Sequence, residues 1–158
     1  MLFRSSVFYA LNAYKLRGMS PEDLGGPPPG MIIVAPQGGD TTTIAGGLLM
    51  ANTVGDQKVW VAPGFYSESN LIIPPRTTVE CIVPRGCVLD CNGSTGFDIP
   101  GNELVRIKGF IMQNSPMECV RIGPHSEDIE ITDNEFRGCR YGVNVMSGGS
   151  VASAMYIH

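Results

Sequence analysis

The 158-residue sequence predicts an all-β chain of stacked coils of parallel strands, with one short helix at the start of the coils and another further upstream. Three observations carry that expectation. Glycine (20) and proline (12) are abundant and charged residues make up 16%, which excludes a coiled coil, while 43% apolar residues leave enough for a core. Downstream of Lys58, short apolar runs return every eight to twelve residues, separated by Gly, Pro and Asn. The runs also repeat: Ile111, Asn114 and Cys119 fall on Ile131, Asn134 and Cys139 at a shift of twenty residues, and Leu89-Asp-Cys-Asn92 with Phe97 precedes them at a shift of twenty-two.

In chain order, residues 1–18 read as an amphipathic helix, with Phe3, Val7, Leu11 and Tyr14 at spacings of four, four and three on one face. Residues 19–30 hold Gly25-Gly-Pro-Pro-Pro-Gly30, in which three prolines favour an extended, semi-rigid tether. A helix beyond a tether either packs back on its own domain or docks on a partner surface, because alone it is marginal in water. Residues 31–158 form the coiled part. Met31–Val34 is a strand, Pro36–Gly39 a turn, and Asp40 the N-cap of a helix over about 41–52 with Ile44, Leu48 and Ala51 on one face. Lys58–Val61 is a strand closed by Pro63-Gly64. Further strands follow at Leu71–Ile73, Thr77–Val83, Cys87–Leu89, Phe97–Ile99, Val105–Ile111, Cys119–Ile122, Ile129–Ile131 and Tyr141–Val145, so the coils run over about 58–146.

Such spacing fits a sandwich or a solenoid, and the repeat decides for the solenoid. In stacked coils Asn92, Asn114 and Asn134 would form an inward ladder of amides, each satisfying its neighbours, with Phe97, Cys119 and Cys139 stacked beside it. Nothing in SGGSVASAMYIH looks able to cover the last coil, so the far end is expected to be truncated or open. The five cysteines, Cys81, Cys87, Cys91, Cys119 and Cys139, are odd in number and lack a CxxC, so they are expected as buried free thiols. The net charge of −4 argues against a nucleic-acid partner. No apolar run reaches the ~18 residues of a membrane span. The apolar centre Val7–Leu11 is shorter than a signal-peptide core.

Gly38-Gly-Asp-Thr-Thr-Thr-Ile44, followed by Val59-Trp-Val-Ala-Pro-Gly-Phe-Tyr66 and a strand of the TTVECI type, resembles the start of right-handed parallel β-helix proteins of the pectate-lyase-like superfamily. Ile107-Lys-Gly-Phe-Ile-Met-Gln-Asn-Ser115 and Ile129-Glu-Ile-Thr-Asp-Asn-Glu-Phe136 resemble coil repeats of the same superfamily. The similarity covers roughly residues 31–146. It implies a right-handed parallel β-helix with an N-terminal capping helix, preceded here by the anchor helix and tether. Tailspikes, pectate lyases, polygalacturonases and pectin methylesterases share this start, so the resemblance bears on fold more than on activity. A helix and tether ahead of the cap look most like the virion-proximal end of a phage spike or fibre.

A catalytic or Ca²⁺ site would need clustered acids on one face. The candidates are Asp128, Glu130, Asp133 and Glu135, with Arg121, His125 and Arg137 nearby. Asp128 and Glu130 alternate with Ile129 and Ile131 and so point outward together. The competing expectation is a solvated face, with Lys108 beside Asp128 as a cross-strand pair. His125 reads as a turn histidine, Trp60 as first-coil core, and Asn92-Gly-Ser94 as a ladder position rather than a glycan acceptor. No cofactor or metal is expected. The expected function is therefore a structural virion component, the attachment and β-helix part of a phage spike or fibre that adheres to host polysaccharide. It would dock through Phe3, Val7, Leu11 and Tyr14, assemble as a homotrimer and be released by lysis or otherwise act extracellularly. The alternative is the non-catalytic start of a polysaccharide lyase or glycoside hydrolase.

Overall fold

Alternating apolar and polar residues over short runs make strands with one buried face, and twelve strands lie among the described residues. The computed structural model describes residues 30–52, 56–146 and the backbone of 155–157. The anchor residues Phe3, Val7, Leu11 and Tyr14 and the tether up to Pro29 lie outside the described residues. In order come β1 (Met31–Val34), α1 (Ile44–Ala51), β2 (Gln57–Val61), β3 (Gly64–Ser67), β4 (Leu71–Ile72), β5 (Thr77–Cys81) and β6 (Cys87–Asp90). These are followed by β7 (Phe97–Ile99), β8 (Glu103–Lys108), β9 (Phe110–Ile122), β10 (Glu127–Thr132), β11 (Glu135–Val145) and β12 (Met155–Ile157).

Every strand pairing is parallel, and the chain is a parallel β-solenoid. β1, β2, β5, β8, β10 and β12 stack in that order as a first sheet. β9 turns a corner: its Phe110–Gln113 half pairs with β6, which pairs with β3, and its Val120–Ile122 half pairs with β7, which pairs with β4. β11 follows β9 around the same corner, with a register slip between Cys139 and Tyr141. The second and third faces of the coil are thus continuous along these two strands.

The interior is built of columns of like side chains. Ile32, Val59, Val79, Ile107 and Ile131 stand in register on the first sheet. Tyr66, Leu89, Met112 and Phe136 do so on the second face, and Leu71, Phe97, Val120 and Val143 on the third. Phe97 meets Phe110 edge to face at 5.4 Å. Each fully buried aliphatic contributes about 1.5–3 kcal/mol, so an uncovered end of the stack would expose such a core to water.

The lower end is closed. Residues 36–41 fold back along β1: Ala35 N donates to Thr41 O (2.9 Å), and Ile33 N donates to the Asp40 carboxylate (2.7 Å). Asp40 therefore covers a strand edge and is not the helix cap. Thr43 is, its Oγ1 accepting from Gly46 N (3.1 Å). α1 buries Ile44, Gly47, Leu48 and Ala51 over the first coil. A side chain at Gly47 would meet Val34 Cγ2 at 2.6 Å, so the helix lies this close only because that residue has none. Glu68, from the first coil, accepts from Ile44 N (2.8 Å) and Ala45 N (2.9 Å) and holds the helix in place.

Two further expectations are corrected. The first concerns the asparagine ladder, which does not form. Asn92 (φ 50°) and Asn114 (φ 60°) are exposed residues at equivalent corners of successive coils, where the coil after them has Gly138 (φ 59°). Short polar side chains and glycine tolerate this left-handed turn. The Asn114 amide donates outward to Asp90 (2.6 Å), and Ser67 donates to Asn92 (2.9 Å). Asn134 belongs to a different corner, where it accepts from Phe110 N and donates to Ile107 O, both at 2.9 Å. The second concerns the cysteines: four are paired, as Cys81–Cys87 and Cys119–Cys139, each with Cα atoms 5.8 Å apart, and buried Cys91 alone is free. The coil brings Cys119 and Cys139, twenty residues apart, to bonding distance, which spacing alone does not reveal.

Candidate functional site

The four candidate carboxylates do not converge. Asp128 (φ 51°), inside β10, and Asp133 (φ 56°), just after it, take left-handed backbone, which short acidic side chains tolerate. Asp128 is exposed and Glu130 half-buried on β10, alternating as expected with the buried Ile129 and Ile131. Glu130 lies outward on β10 and binds Arg106 Nε at 2.9 Å. Asp133 is 3.7 Å from Lys108 Nζ, so Lys108 faces Asp133 and not Asp128. Glu135 opens β11 on the second face and pairs with Arg137 (2.7 Å), whose hydrogen bond holds its carboxyl below the usual range. His125 (φ 63°) is an exposed turn residue, as its Gly-Pro-His-Ser setting implies. Trp60 is not core. It lies on the outer side of β2 under Lys58 Nζ, 4.9 Å from the ring, and its buried indole N–H has no acceptor among the described residues.

A different group of residues forms a polar cluster, on the third face. Asp98 in β7 and Arg121 in β9 are register partners. The Arg121 guanidinium grips the Asp98 carboxylate at both ends, with Nε to Oδ1 at 2.9 Å and Nη2 on Oδ2. Glu118, at the preceding corner, is 4.0 Å from Arg121 Nε and accepts from Thr95 Oγ1 at 3.5 Å. Asp98 is 8% exposed and Glu118 7%, so both are buried for carboxylates. The bond to Asp98 raises the Arg121 pKa further above its ordinary value. Around them lie exposed Ile72 opposite Asp98, Tyr141 (48% exposed) opposite Glu118, and Met117.

This arrangement offers an aromatic face beside fixed polar groups, suited to an extended polar ligand. Phe97-Asp-Ile99 and Val120-Arg-Ile122 carry the signal in sequence, the same apolar-charged-apolar triplet one coil apart. A twenty-residue repeat hides it, because these partners are twenty-three residues apart.

A cavity of about 520 Å³ lies against the lower part of the first sheet, lined by Lys58, Arg76 and Arg106 among others. Each cation has a carboxylate already: Lys58 with Glu80 (2.7 Å), Arg76 with Asp56 (2.6 Å) and Arg106 with Glu130 (2.9 Å). The cavity is therefore close to neutral and has no excess positive charge to attract an anion. Among the described residues, no three His, Cys, Asp or Glu side chains converge as metal ligands, and no helix is long and apolar enough to cross a membrane. Compared with models of known families, with curated proteins and with solved structures, the chain gives no match, so its function is argued from its own residues.

Proposed function

We propose that this chain is a non-enzymatic structural component of a virion: the N-terminal attachment and β-helix part of a phage spike or fibre that adheres to host-surface polysaccharide. One observation carries the reading, the polarity of the solenoid. Its lower end is closed by residues 36–41 and α1, while strand stacking proceeds the other way as far as β12. A rod that grows in one direction from a closed base suits a projection held at residues 1–30 and reaching outward. Phe65, 63% exposed on the outward side of the second face beside half-buried Val88, supports side-by-side packing of copies. The proposed assembly is a homotrimer docked on other virion proteins through Phe3, Val7, Leu11 and Tyr14 and released by lysis. The exposed Tyr141, beside half-buried Arg121, is the proposed contact with glycan.

A second reading, a polysaccharide lyase or glycoside hydrolase, is favoured by Asp98 and Glu118 sharing one region of the third face. Against it, Asp98 is committed to Arg121 at both oxygens, which leaves no free acid–base pair there. Light scattering on the full chain, and on a chain beginning at Met31, tests the assembly. The proposal expects a trimer that becomes monomeric without residues 1–30; a monomer in both cases would remove it.

A further inference from the structure

The two disulfides differ in what they join and in what surrounds them. Cys81 and Cys87 are six residues apart and close a corner within one coil, where they are 2% and 0% exposed. Cys119 and Cys139 are twenty residues apart and join β9 to β11, one coil to the next. Cys119 is fully buried, but Cys139 is partly exposed, in the coil whose Phe136 and Val143 are also only partly buried. The register of β11 against β9 slips just beyond Cys139, after the left-handed turn at Gly138. Beyond the slip, Tyr141–Val145 resumes pairing with Glu118–Ile122 of β9.

We infer that Cys119 and Cys139 form an oxidation-dependent staple that locks the fourth coil onto the third, and that the chain does its work in an oxidising compartment. This goes beyond the proposed function and holds whether or not the chain is part of a virion. Disulfides that persist are a feature of extracellular settings and are rare in reducing cytosol. Closing the staple removes two protons and two electrons from the two thiols. Molecular oxygen takes them to give hydrogen peroxide, or a small disulfide such as oxidised glutathione takes them to give two thiols. Opening it runs through attack of an external thiolate on Cys139 Sγ, the reachable sulfur, forming a mixed disulfide. Cys119 then leaves as a thiolate and is protonated, and a second external thiol frees Cys139. Cys91 does not enter this exchange: it is buried, and burial pushes its thiol up to about 11, so it has almost no thiolate at neutral pH.

The test is a graded reduction of the full chain with dithiothreitol, read by differential alkylation and mass spectrometry alongside amide hydrogen exchange. Cys119 and Cys139 are expected to be labelled at reductant levels that leave Cys81, Cys87 and Cys91 unlabelled. Over the same range, exchange in residues 135–145 is expected to speed at least tenfold while residues 57–61 and 77–81 stay protected. The double variant C119S/C139S is expected to show the fast exchange without reductant and no further change with it. Because the titration uses the unaltered chain, it stands even if that variant does not fold. Simultaneous reduction of both disulfides, free Cys119 and Cys139 in air-exposed protein, or unchanged exchange after the staple opens would each overturn the inference.

Discussion

Glu68→Ala is expected to loosen the closed end of the solenoid while leaving its coils intact. The Glu68 carboxylate accepts from Ile44 N at 2.8 Å and Ala45 N at 2.9 Å, in the first turn of a helix twenty-four residues earlier in the chain. Hydrogen bonds to a charged group are worth roughly 1.5–3 kcal/mol each when buried. Ala45 is exposed, so water replaces its bond at little cost, whereas Ile44 is fully buried and its amide is not so easily rehydrated. With the loss of an anion at the helix N-terminus, worth ~0.3–1 kcal/mol, the total comes to about 2 kcal/mol. Because coils in a solenoid contact mainly their neighbours, the loss should be local. Hydrogen exchange is the direct assay: amides of residues 44–51 should exchange about thirtyfold faster, and urea unfolding should register the same loss, with residues 103–132 unchanged. A loss below about 0.5 kcal/mol, or faster exchange spread over all coils, would refute the assignment of Glu68 as the anchor of α1.

Other substitutions probe other parts of the fold. Ile107→Ala, at the middle of the first-sheet column, should cost about 2–5 kcal/mol in urea unfolding. Gly47→Ala should destabilise by roughly 1–3 kcal/mol even though alanine favours helices by ~1 kcal/mol, because its Cβ would stand 2.6 Å from Val34 Cγ2. Asn134→Ala should cost about 1–3 kcal/mol, since it bridges Phe110 N and Ile107 O, while exposed Asn92→Ala should cost less than half as much. Tyr66 tests alkaline pH. Burial, then the Glu68 charge, pushes its phenol up to about 12 from an unfolded value near 10, so the fold favours the neutral form. That stabilisation is complete below pH 10 and is lost as pH rises towards 12, and Tyr66→Phe should remove this part of the pH dependence.

Much of the architecture could be read from residue order, and the failures have physical causes. Most strand positions and the capping helix follow from apolar runs bounded by glycine and proline, and α1, Ile44–Ala51, falls inside the expected 41–52; β3 is not foreseen, and the expected strand Val105–Ile111 breaks at Gly109 into β8 and β9 on different sheets. The register could not be read from matching letters, because corner lengths vary. Partners on the first sheet are twenty residues apart at Gln57 and Thr77 but twenty-eight at Thr78 and Arg106. The match of Ile111 with Ile131 joined an outward residue of the second face to an inward residue of the first. That error hid the Asp98–Arg121 pair and misplaced Asn134. Trp60 was misjudged because an apolar ring among valines suggests core, whereas strict alternation puts it on the outer side with Lys58. Asp128 and Asp133 attracted attention as acids, but both take left-handed backbone, which short acidic side chains tolerate.

The proposed function requires a solenoid that holds glycan without cutting it. Incubating the full chain with a panel of bacterial surface polysaccharides, then measuring co-sedimentation and polymer length together, tests that claim most directly. Retention on at least one polysaccharide, its length unchanged after prolonged incubation and its retention weakened by Tyr141→Ala, is the predicted result. Shortened polymer, or no retention on any member of the panel, would contradict it.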